Sequence, residues 1–276
     1  MIRRLLAWVL AVAATAGAGV SAQPLAQLLA QPLLDWTEEE VTLIARHGPW
    51  PPPPVRDPSN RVSASPAAVR LGEHLFYDTR LSDTGQTSCA TCHRPDRDWS
   101  DGLARAQGTV ELDRRTPSLW NVGYGPWFGW DGAGDSLWAQ SIRPTGEVDS
   151  GRLAGLARLA SSPFNLLGSH SDDTTGEAAR RTRHVQRLHS NFGEFRVPGL
   201  RQTARGGPYM HNGSLASLDD VVRHYSEVSP DRLHSDGVPL VRPLGLSAEE
   251  QGDLVAFLRS LDAEVPPRPP VPPLCP

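Results

Sequence analysis

The pattern of apolar and polar residues along this 276-residue chain predicts helices, not strands. Apolar residues recur at helical spacing, and no segment shows the convincing alternation of a half-buried strand. Residues that favour helix N-caps predict five helices, which begin after Thr37, Ser65, Asp135, Ser217 and Ser247. In the helix after Ser65, one stripe should be buried, namely Val69, Leu71, His74 and Leu75. We therefore expect a mainly α, loop-rich fold.

The segments between these helices are predicted to be loops. The 26 prolines and 25 glycines favour many turns around short helices. Residues 145–190 are polar and predict loops with a solvated basic face, and residues 195–211 also predict a loop. Large aromatic side chains crowd the middle of the chain: Trp120, Trp127, Phe128, Trp130 and Trp138. Such density is typical of a core, and it also suits the walls around a large flat ligand.

The first 22 residues are predicted to be a secretory signal peptide. Arg3 and Arg4 precede an apolar run that ends near Val20, and small residues lead to a cleavage site after Ala22. The alternative is a membrane anchor, but the run is shorter than the ~20 residues that a spanning helix needs. We expect a protein exported to the periplasm, with no membrane association after cleavage.

Composition narrows the possible functions further. The net charge of −4 argues against a nucleic-acid partner, and 39% hydrophobic residues support a packed core without a further membrane segment. All 27 basic residues other than histidine are arginines. A lysine nucleophile or Schiff base is therefore excluded.

The motif Cys89-Ala90-Thr91-Cys92-His93 carries the clearest chemistry. Cysteines three positions apart share one helix face, so both sulfurs can bond to one porphyrin, and the following histidine can ligate its iron. A thioredoxin-like redox pair or half of a zinc site would use the same cysteine spacing. The first usually follows a strand, and the second needs another ligand pair, whereas the only other cysteine is Cys275. One covalently attached haem c is therefore expected, with His93 as iron ligand.

Several further segments, taken in order, resemble the bacterial di-haem cytochrome c peroxidases, including their MauG-type branch. They are LGEHLFYD (71–78), RTPSLWN (115–121), WDG (130–132), SLWAQ (136–140), FRVPGLR (195–201) and PYMHNGSL (208–215). The resemblance implies two packed cytochrome c-like domains with one haem each. It divides the chain into an N-terminal arm (23–66), a peroxide-reacting haem domain (67–144), a truncated second cytochrome c-like domain (145–264) and a proline-rich tail (265–276).

The same resemblance implies roles for individual residues. His93 matches the proximal ligand of the peroxide-reacting haem, with Cys89 and Cys92 holding the porphyrin. Gln140 matches a polar residue of the distal pocket, where it orients peroxide but cannot act as a base. Trp130 matches the tryptophan between the two haems, an aromatic stepping stone for electrons. Without the family, the polarity of a helix surface is the better explanation of Gln140, whereas Trp130 is equally a core residue.

The chain departs from the family pattern in two ways that concern the second haem. It has no second C-x-x-C-H motif, and it reads as if roughly a hundred residues were missing near Pro144–Gly146, which is the size of a small domain. The distal glutamate of the family aligns with Ser150, and Glu147 is a poor substitute. Met210, which matches the ligand of the second haem, is left as a core methionine or as a sixth ligand to the single haem.

Two further departures concern the iron and a metal ion. Family members with a six-coordinate resting haem have a histidine in the loop before the Thr-Pro motif. No histidine lies between Trp99 and Arg115 here, which favours an open, MauG-like iron. The family's calcium site uses an asparagine where this chain has Arg115, a cation with no acceptor atom, so calcium is not expected.

The sequence thus favours a periplasmic peroxidase-family oxidoreductase. It would reduce hydrogen peroxide to water with electrons from a small redox protein, either a cytochrome c or a cupredoxin. A mono-haem electron carrier ligated by His93 and Met210 is the alternative, and an inactive remnant that lacks the second haem is another.

Overall fold

The computed structural model of the chain describes residues 37–46, 55–142, 151–229 and 241–264. The predicted signal peptide, the proline run at 51–54 and the C-terminal tail lie outside these ranges. By its contacts the chain divides into two units, residues 1–55 and 56–276. Within the ranges described, the only β-type pairings are isolated bridges, so the expectation of a mainly α, loop-rich fold is confirmed.

Eight α-helices lie in the described ranges, and α1 alone belongs to the first unit. They are α1 (Glu38–Ala45), α2 (Pro66–Tyr77), α3 (Cys89–Cys92), α4 (Leu137–Ser141), α5 (Arg152–Ser161), α6 (Glu177–His184), α7 (Leu218–Glu227) and α8 (Ala248–Ser260). None of the helices described has both the length and the apolarity to cross a membrane. The boundaries proposed for the domains between residues 67 and 264 stay predictions.

Four helices begin at the predicted caps. The backbone N–H of Glu40 donates to Thr37 Oγ1 (3.2 Å) at α1, and the N–H of Ala68 donates to Ser65 Oγ (3.4 Å) at α2. Reciprocal side-chain bonds start α7 at Ser217 and α8 at Ser247. A cap satisfies backbone donors that the first helical turn leaves without partners, so this local chemistry fixes where a helix starts.

The predicted cap of α4 is wrong by one residue. Ser136 caps this helix by accepting a hydrogen bond from the N–H of Ala139 (3.1 Å). The carboxylate of Asp135 instead accepts bonds from the N–H of Leu166 and the hydroxyl of Thr182, both at 2.8 Å. Asp135 is buried and ties α4 to the segments around α5 and α6.

The loop-rich prediction for residues 145–190 missed two helices, α5 and α6. The exposed arginines of this stretch do form a solvated face, as expected. Helix α5 packs against the loop that contains Trp130: Gly155 lies against the carbonyl of Asp131, where a side chain would clash. Arg158 of α5 forms an ion pair with the fully buried carboxylate of Asp131 (2.5 Å).

The main apolar cluster lies between α7 and α8. Leu218 and Val222 of α7 pack against Val255 and Leu258 of α8. Partly buried neighbours close the cluster: Ala204, Tyr209, Leu246, Leu254, Phe257 and Leu261. The spacing of Leu254, Phe257, Leu258 and Leu261 in the sequence predicts one apolar stripe on α8, and all four residues lie in or against this cluster.

The stripe of α2 behaves differently, and the prediction that protein atoms bury it is wrong. Val69 is 59% exposed, Leu71 58% and Leu75 39%, while His74 is half-buried. Helix α2 lies beside α3, the helix of the two cysteines. Helix α2 thus presents exposed apolar side chains beside the cysteine motif, as a surface that binds a partner does.

Candidate haem-binding site

The two cysteines and His93 are held together by one short helical turn. The N–H of Ser88 donates to Thr91 Oγ1 (3.0 Å) at its start, and the N–H of His93 donates to the carbonyl of Cys89 (2.9 Å) at its end. Cys89 is exposed and Cys92 half-buried, and neither forms a disulfide. Burial raises the pKa of both thiols. Both sulfurs are thus available for thioether bonds on one helix face.

The ring of His93 is oriented by a backbone carbonyl. Its Nδ1 lies 3.0 Å from the carbonyl oxygen of Trp99, so Nδ1 carries the proton and donates it. This fixes the tautomer in which Nε2 keeps its lone pair for a metal. Burial lowers the pKa of His93, against the opposing effects of nearby carbonyls and of the charge on Asp101. The neutral imidazole is the form that binds iron.

The carbonyl of Trp99 is itself held by a strained turn. Asp98 (φ 53°) and Trp99 (φ 61°) both adopt left-handed backbone conformations, which cost energy for residues other than glycine. Side-chain bonds hold the turn: Trp120 Nε1 donates to Asp98 Oδ1 (3.1 Å), and Ser118 Oγ donates to the carbonyl of Asp98 (2.7 Å). The Thr-Pro segment at 116–120 therefore supports the orientation of the imidazole.

The residues of this region fit an attached haem c. The motif supplies two accessible sulfurs and an oriented imidazole. The uncovered apolar face of α2 lies beside the motif, and Trp99 contacts the rings of Phe76 and Trp120 edge-on. A porphyrin is a large apolar body that suits such a surface. The groups expected to hold it are Cys89, Cys92, His93 and the α2 stripe.

Gln140 lies on α4 with its side chain against the backbone of Gly134. Its Oε1 is buried and has no hydrogen-bond partner among the described residues. A buried amide oxygen without a partner costs about 1–3 kcal/mol, so such an atom calls for an explanation. Its place in a distal pocket stays a prediction.

Trp130 is buried, and it forms hydrogen bonds with residues from both halves of the chain. Its Nε1 donates to the carbonyl of Arg115 (2.8 Å), and its own carbonyl accepts a bond from the N–H of Arg196 (2.8 Å). Burial suits a core residue and an electron relay equally, so the role stays a prediction.

These observations can be set beside known proteins. The family model of the di-haem cytochrome c peroxidases matches residues 66–165, which include the cysteine motif, Trp130 and Gln140. The methylamine utilization protein MauG of Methylorubrum extorquens is 30% identical, over 72% of this chain and 79% of that protein. The chain belongs to the di-haem cytochrome c peroxidase family. The family implies haem c as cofactor and an oxidoreductase of peroxidase type.

A second relative and a solved structure are also similar to this chain. The cytochrome-c peroxidase IdrP2 of Pseudomonas sp. (strain SCT) is 38% identical, over 73% of this chain and 83% of that protein. A crystal structure of a MauG-like protein associated with microbial copper homeostasis matches the fold with a TM-score of 0.53 at 21% identity. That match covers 79% of this chain and 96% of the other.

The alignment with MauG also bears on the missing segment. It runs over 282 positions, more than the whole chain contains, although only 72% of the chain takes part. Many positions of the relative therefore have no counterpart here. This supports the expectation of a shortened second domain, which stays a prediction, as does the number of haems.

In the C-terminal half, the loop that contains Met210 and His211 lies against the segment that follows the haem motif. Met210 is half-buried, with a left-handed backbone (φ 66°), and Gly213 in the same loop contacts Ala104 closely. The N–H of Arg115 donates to the carbonyl of His211 (3.2 Å). The buried guanidinium of Arg115 donates to the carbonyl of Gly206, at the position where the family has its calcium ligand.

Sequence reasoning did not find the partner of His93. The acceptor is the main-chain carbonyl of Trp99, which any residue could supply, so no side-chain pattern points to it. A second feature that sequence reasoning did not find is the exposure of the apolar face of α2. Its helical spacing is plain in the sequence, but the sequence does not show what covers it.

Proposed function

We propose that the chain reduces hydrogen peroxide to water in the periplasm, with electrons from a small cytochrome c or cupredoxin. The observation that carries this proposal is the 3.0 Å contact between His93 Nδ1 and the carbonyl of Trp99. It leaves Nε2 as the ligating atom directly after the two attachment cysteines. The predicted signal peptide and the extracytoplasmic attachment of c-type haem support the compartment.

The roles of the chain's own residues follow from this arrangement. Haem c, held by Cys89, Cys92 and His93, would supply the redox chemistry that peroxide reduction needs. The Nδ1–H bond of His93 increases the basicity of the ligating nitrogen, which favours cleavage of the O–O bond. Peroxide takes up two electrons and two protons to give two water molecules. Trp130, buried and fixed through its indole N–H, is the proposed relay for the electrons.

Gln140 is the proposed residue that orients peroxide. Its Oε1 can accept a hydrogen bond from a peroxide O–H, which gives the buried oxygen the partner it lacks within the protein described. An amide does not take up a proton at neutral pH, so Gln140 positions the substrate and does not act as its base.

Replacing Gln140 with leucine tests whether this residue orients peroxide or only fills space. We expect the rate of reaction with peroxide to fall by roughly 10–100-fold, because a positioned polar group is lost. Thermal stability should be unchanged or about 1 kcal/mol higher, because an unsatisfied buried oxygen is removed. Stopped-flow mixing with peroxide and thermal unfolding measure the two effects. An unaltered peroxide rate in a well-folded variant would assign Gln140 to packing alone.

The spectrum of the purified protein tests the function as a whole. We expect one haem per chain with high-spin ferric iron, and peroxide-dependent oxidation of a reduced small cytochrome c. A low-spin haem that becomes high-spin in Met210→Leu would instead identify an electron carrier ligated by His93 and Met210. A high-spin haem that leaves peroxide unconsumed would identify an inactive remnant.

A further inference from the structure

Two buried charged side chains lie in the segments that follow the haem-attachment motif, and the mechanism above uses neither. Asp101 is 6% exposed and Arg115 is 8% exposed. Asp101 Oδ2 and Arg115 Nε are both buried without a hydrogen-bond partner. Neither group forms an ion pair within the ranges that the structure describes. Each side chain has one hydrogen bond to the backbone, Asp101 with Leu103 and Arg115 with Gly206. A buried charge that is only partly satisfied is costly, so both call for an explanation.

The backbone places Asp101 close to the imidazole and the second cysteine. It is two residues after Trp99, whose carbonyl holds His93. Its neighbour Ser100 is fully buried, and its hydroxyl donates to the carbonyl of Thr116 (3.0 Å). The Asp101 carbonyl accepts a bond from Arg97 Nη1 (3.1 Å). The segment that supports His93 is thus fixed on both sides of Asp101.

The two charges lie on segments that contact each other. The bond from Ser100 Oγ to the carbonyl of Thr116 joins the residue before Asp101 to the residue after Arg115. Both segments also position the imidazole: one supplies the carbonyl of Trp99, and the other braces the turn at Asp98.

Arg115 is placed by bonds that involve its backbone and its guanidinium. Its carbonyl accepts the indole N–H of Trp130 (2.8 Å), and its guanidinium donates to the carbonyl of Gly206. Arg115 lies at the start of the Thr-Pro segment that braces the turn at Trp99. The positive charge of Arg115 therefore lies at the start of the segment that also helps to orient the His93 imidazole.

We propose that Asp101 and Arg115 are positioning residues of opposite charge that set the reduction potential of the haem held by His93. Oxidised iron carries one more positive charge than reduced iron. The carboxylate of Asp101 stabilises the oxidised state, and the guanidinium of Arg115 stabilises the reduced state. Salt screens these effects little, because both groups are buried. The proposal rests on haem attachment at Cys89 and Cys92, but not on peroxide reduction.

Asp101→Asn tests the charge with little change of shape. Asn keeps an oxygen that can accept the bond from the N–H of Leu103, as Asp101 Oδ1 does now (3.1 Å). In a spectroelectrochemical titration, we expect the ratio of reduced to oxidised haem at a fixed potential to rise about tenfold, which equals ~59 mV for one electron. The matched control is Asp96→Asn: Asp96 is closer to His93 in sequence, but its side chain is 64% exposed. This control should change the ratio less than about twofold.

Arg115 provides the opposite test. Arg115→Gln removes the charge and should lower the same ratio, whereas Arg115→Lys keeps the charge and should leave it near the wild-type value. The double variant Asp101→Asn/Arg115→Gln should lie between the two single variants. If Asp101→Asn yields no haem-loaded protein, the Arg115→Gln titration decides, and an unchanged ratio there contradicts the proposal.

Other outcomes separate this proposal from the proposed function. An Asp101→Asn shift no larger than that of Asp96→Asn overturns the charge pair, as do shifts of equal sign in Asp101→Asn and Arg115→Gln. Peroxide consumption by the same samples is measured separately. Potential shifts in a protein that does not consume peroxide would support the charge pair and overturn the peroxidase function, and peroxide consumption without shifts would do the reverse.

Discussion

Replacing His93 with alanine is expected to lower peroxide turnover by more than about 100-fold while covalent haem content stays unchanged. Loss of a partner of a metal ligand already costs roughly 10–100-fold in activity or metal affinity, so loss of the ligand itself should exceed that range. The thioether bonds depend on Cys89 and Cys92, so haem should remain attached. Turnover with a reduced cytochrome c and the alkaline pyridine haem spectrum measure the two quantities.

Two further variants sharpen this test. His93→Gly leaves a space that added imidazole can enter, and we expect imidazole to restore part of the turnover. His184→Ala is the matched control, since His184 is exposed at the end of α6 and lies outside the groups expected to hold the haem. Its turnover should stay within about twofold of wild type, as for a residue away from the reacting atoms. Normal turnover by His93→Ala at full haem content would overturn the assignment of the proximal ligand.

Replacing Asp131 with alanine is expected to lower the free energy of unfolding by about 2 kcal/mol. The side chain of Asp131 is 1% exposed; one oxygen pairs with Arg158 of α5, and the other accepts the N–H of Ala133 (3.2 Å). The Arg158 side chain is 37% exposed, so water can solvate it once the carboxylate is gone. The loss therefore comes from the charge-assisted hydrogen bonds of the buried Asp131, which contribute about 1.5–3 kcal/mol. Arg152 lies over the ring of Trp127 nearby and adds a second cation to the same place.

A surface pair provides the comparison. Glu177 and Arg181 form an exposed i,i+4 pair on α6 (2.7 Å), and Glu177→Ala should cost only about 0.3–0.5 kcal/mol. Urea unfolding at equal haem content measures both variants. Equal losses in Asp131→Ala and Glu177→Ala would show that α5 is not anchored through Asp131.

The helices that sequence reasoning found are those whose start is written in local side-chain chemistry. Thr37, Ser65, Ser217 and Ser247 each accept a bond from a backbone N–H in the first helical turn. At α4 two capping residues are adjacent, and tertiary structure decides between them. Asp135 is drawn to Leu166 and Thr182, which leaves Ser136 as the cap.

The missed helices lack such chemistry. Glycines 151 and 176 occupy the N-cap positions of α5 and α6, and neither can accept a hydrogen bond through a side chain. Long-range packing stabilises α5 instead, through the contact of Gly155 with Asp131 and the buried Leu156 and Leu159. Such contacts join residues distant in the chain, so spacing alone does not reveal them.

The candidate site divides in the same way. The covalent motif is local, and its geometry could be derived from five consecutive residues. The support of His93 could not, because it depends on a main-chain carbonyl, a left-handed turn at Asp98 and Trp99, and a segment that begins at Thr116. The sequence does not show that Asp101 and Arg115 are buried, because burial depends on how distant segments pack.

The placement of the apolar cluster between α7 and α8 has a consequence for biogenesis. That pair can gain stability from polypeptide contacts alone, whereas α2 and α3 need the porphyrin to cover their apolar surface. Before haem is attached, the α7–α8 pair is expected to be protected first, and the region around Cys89 to stay open until the thioether bonds form. Late closure keeps both thiols accessible during the period in which they must react.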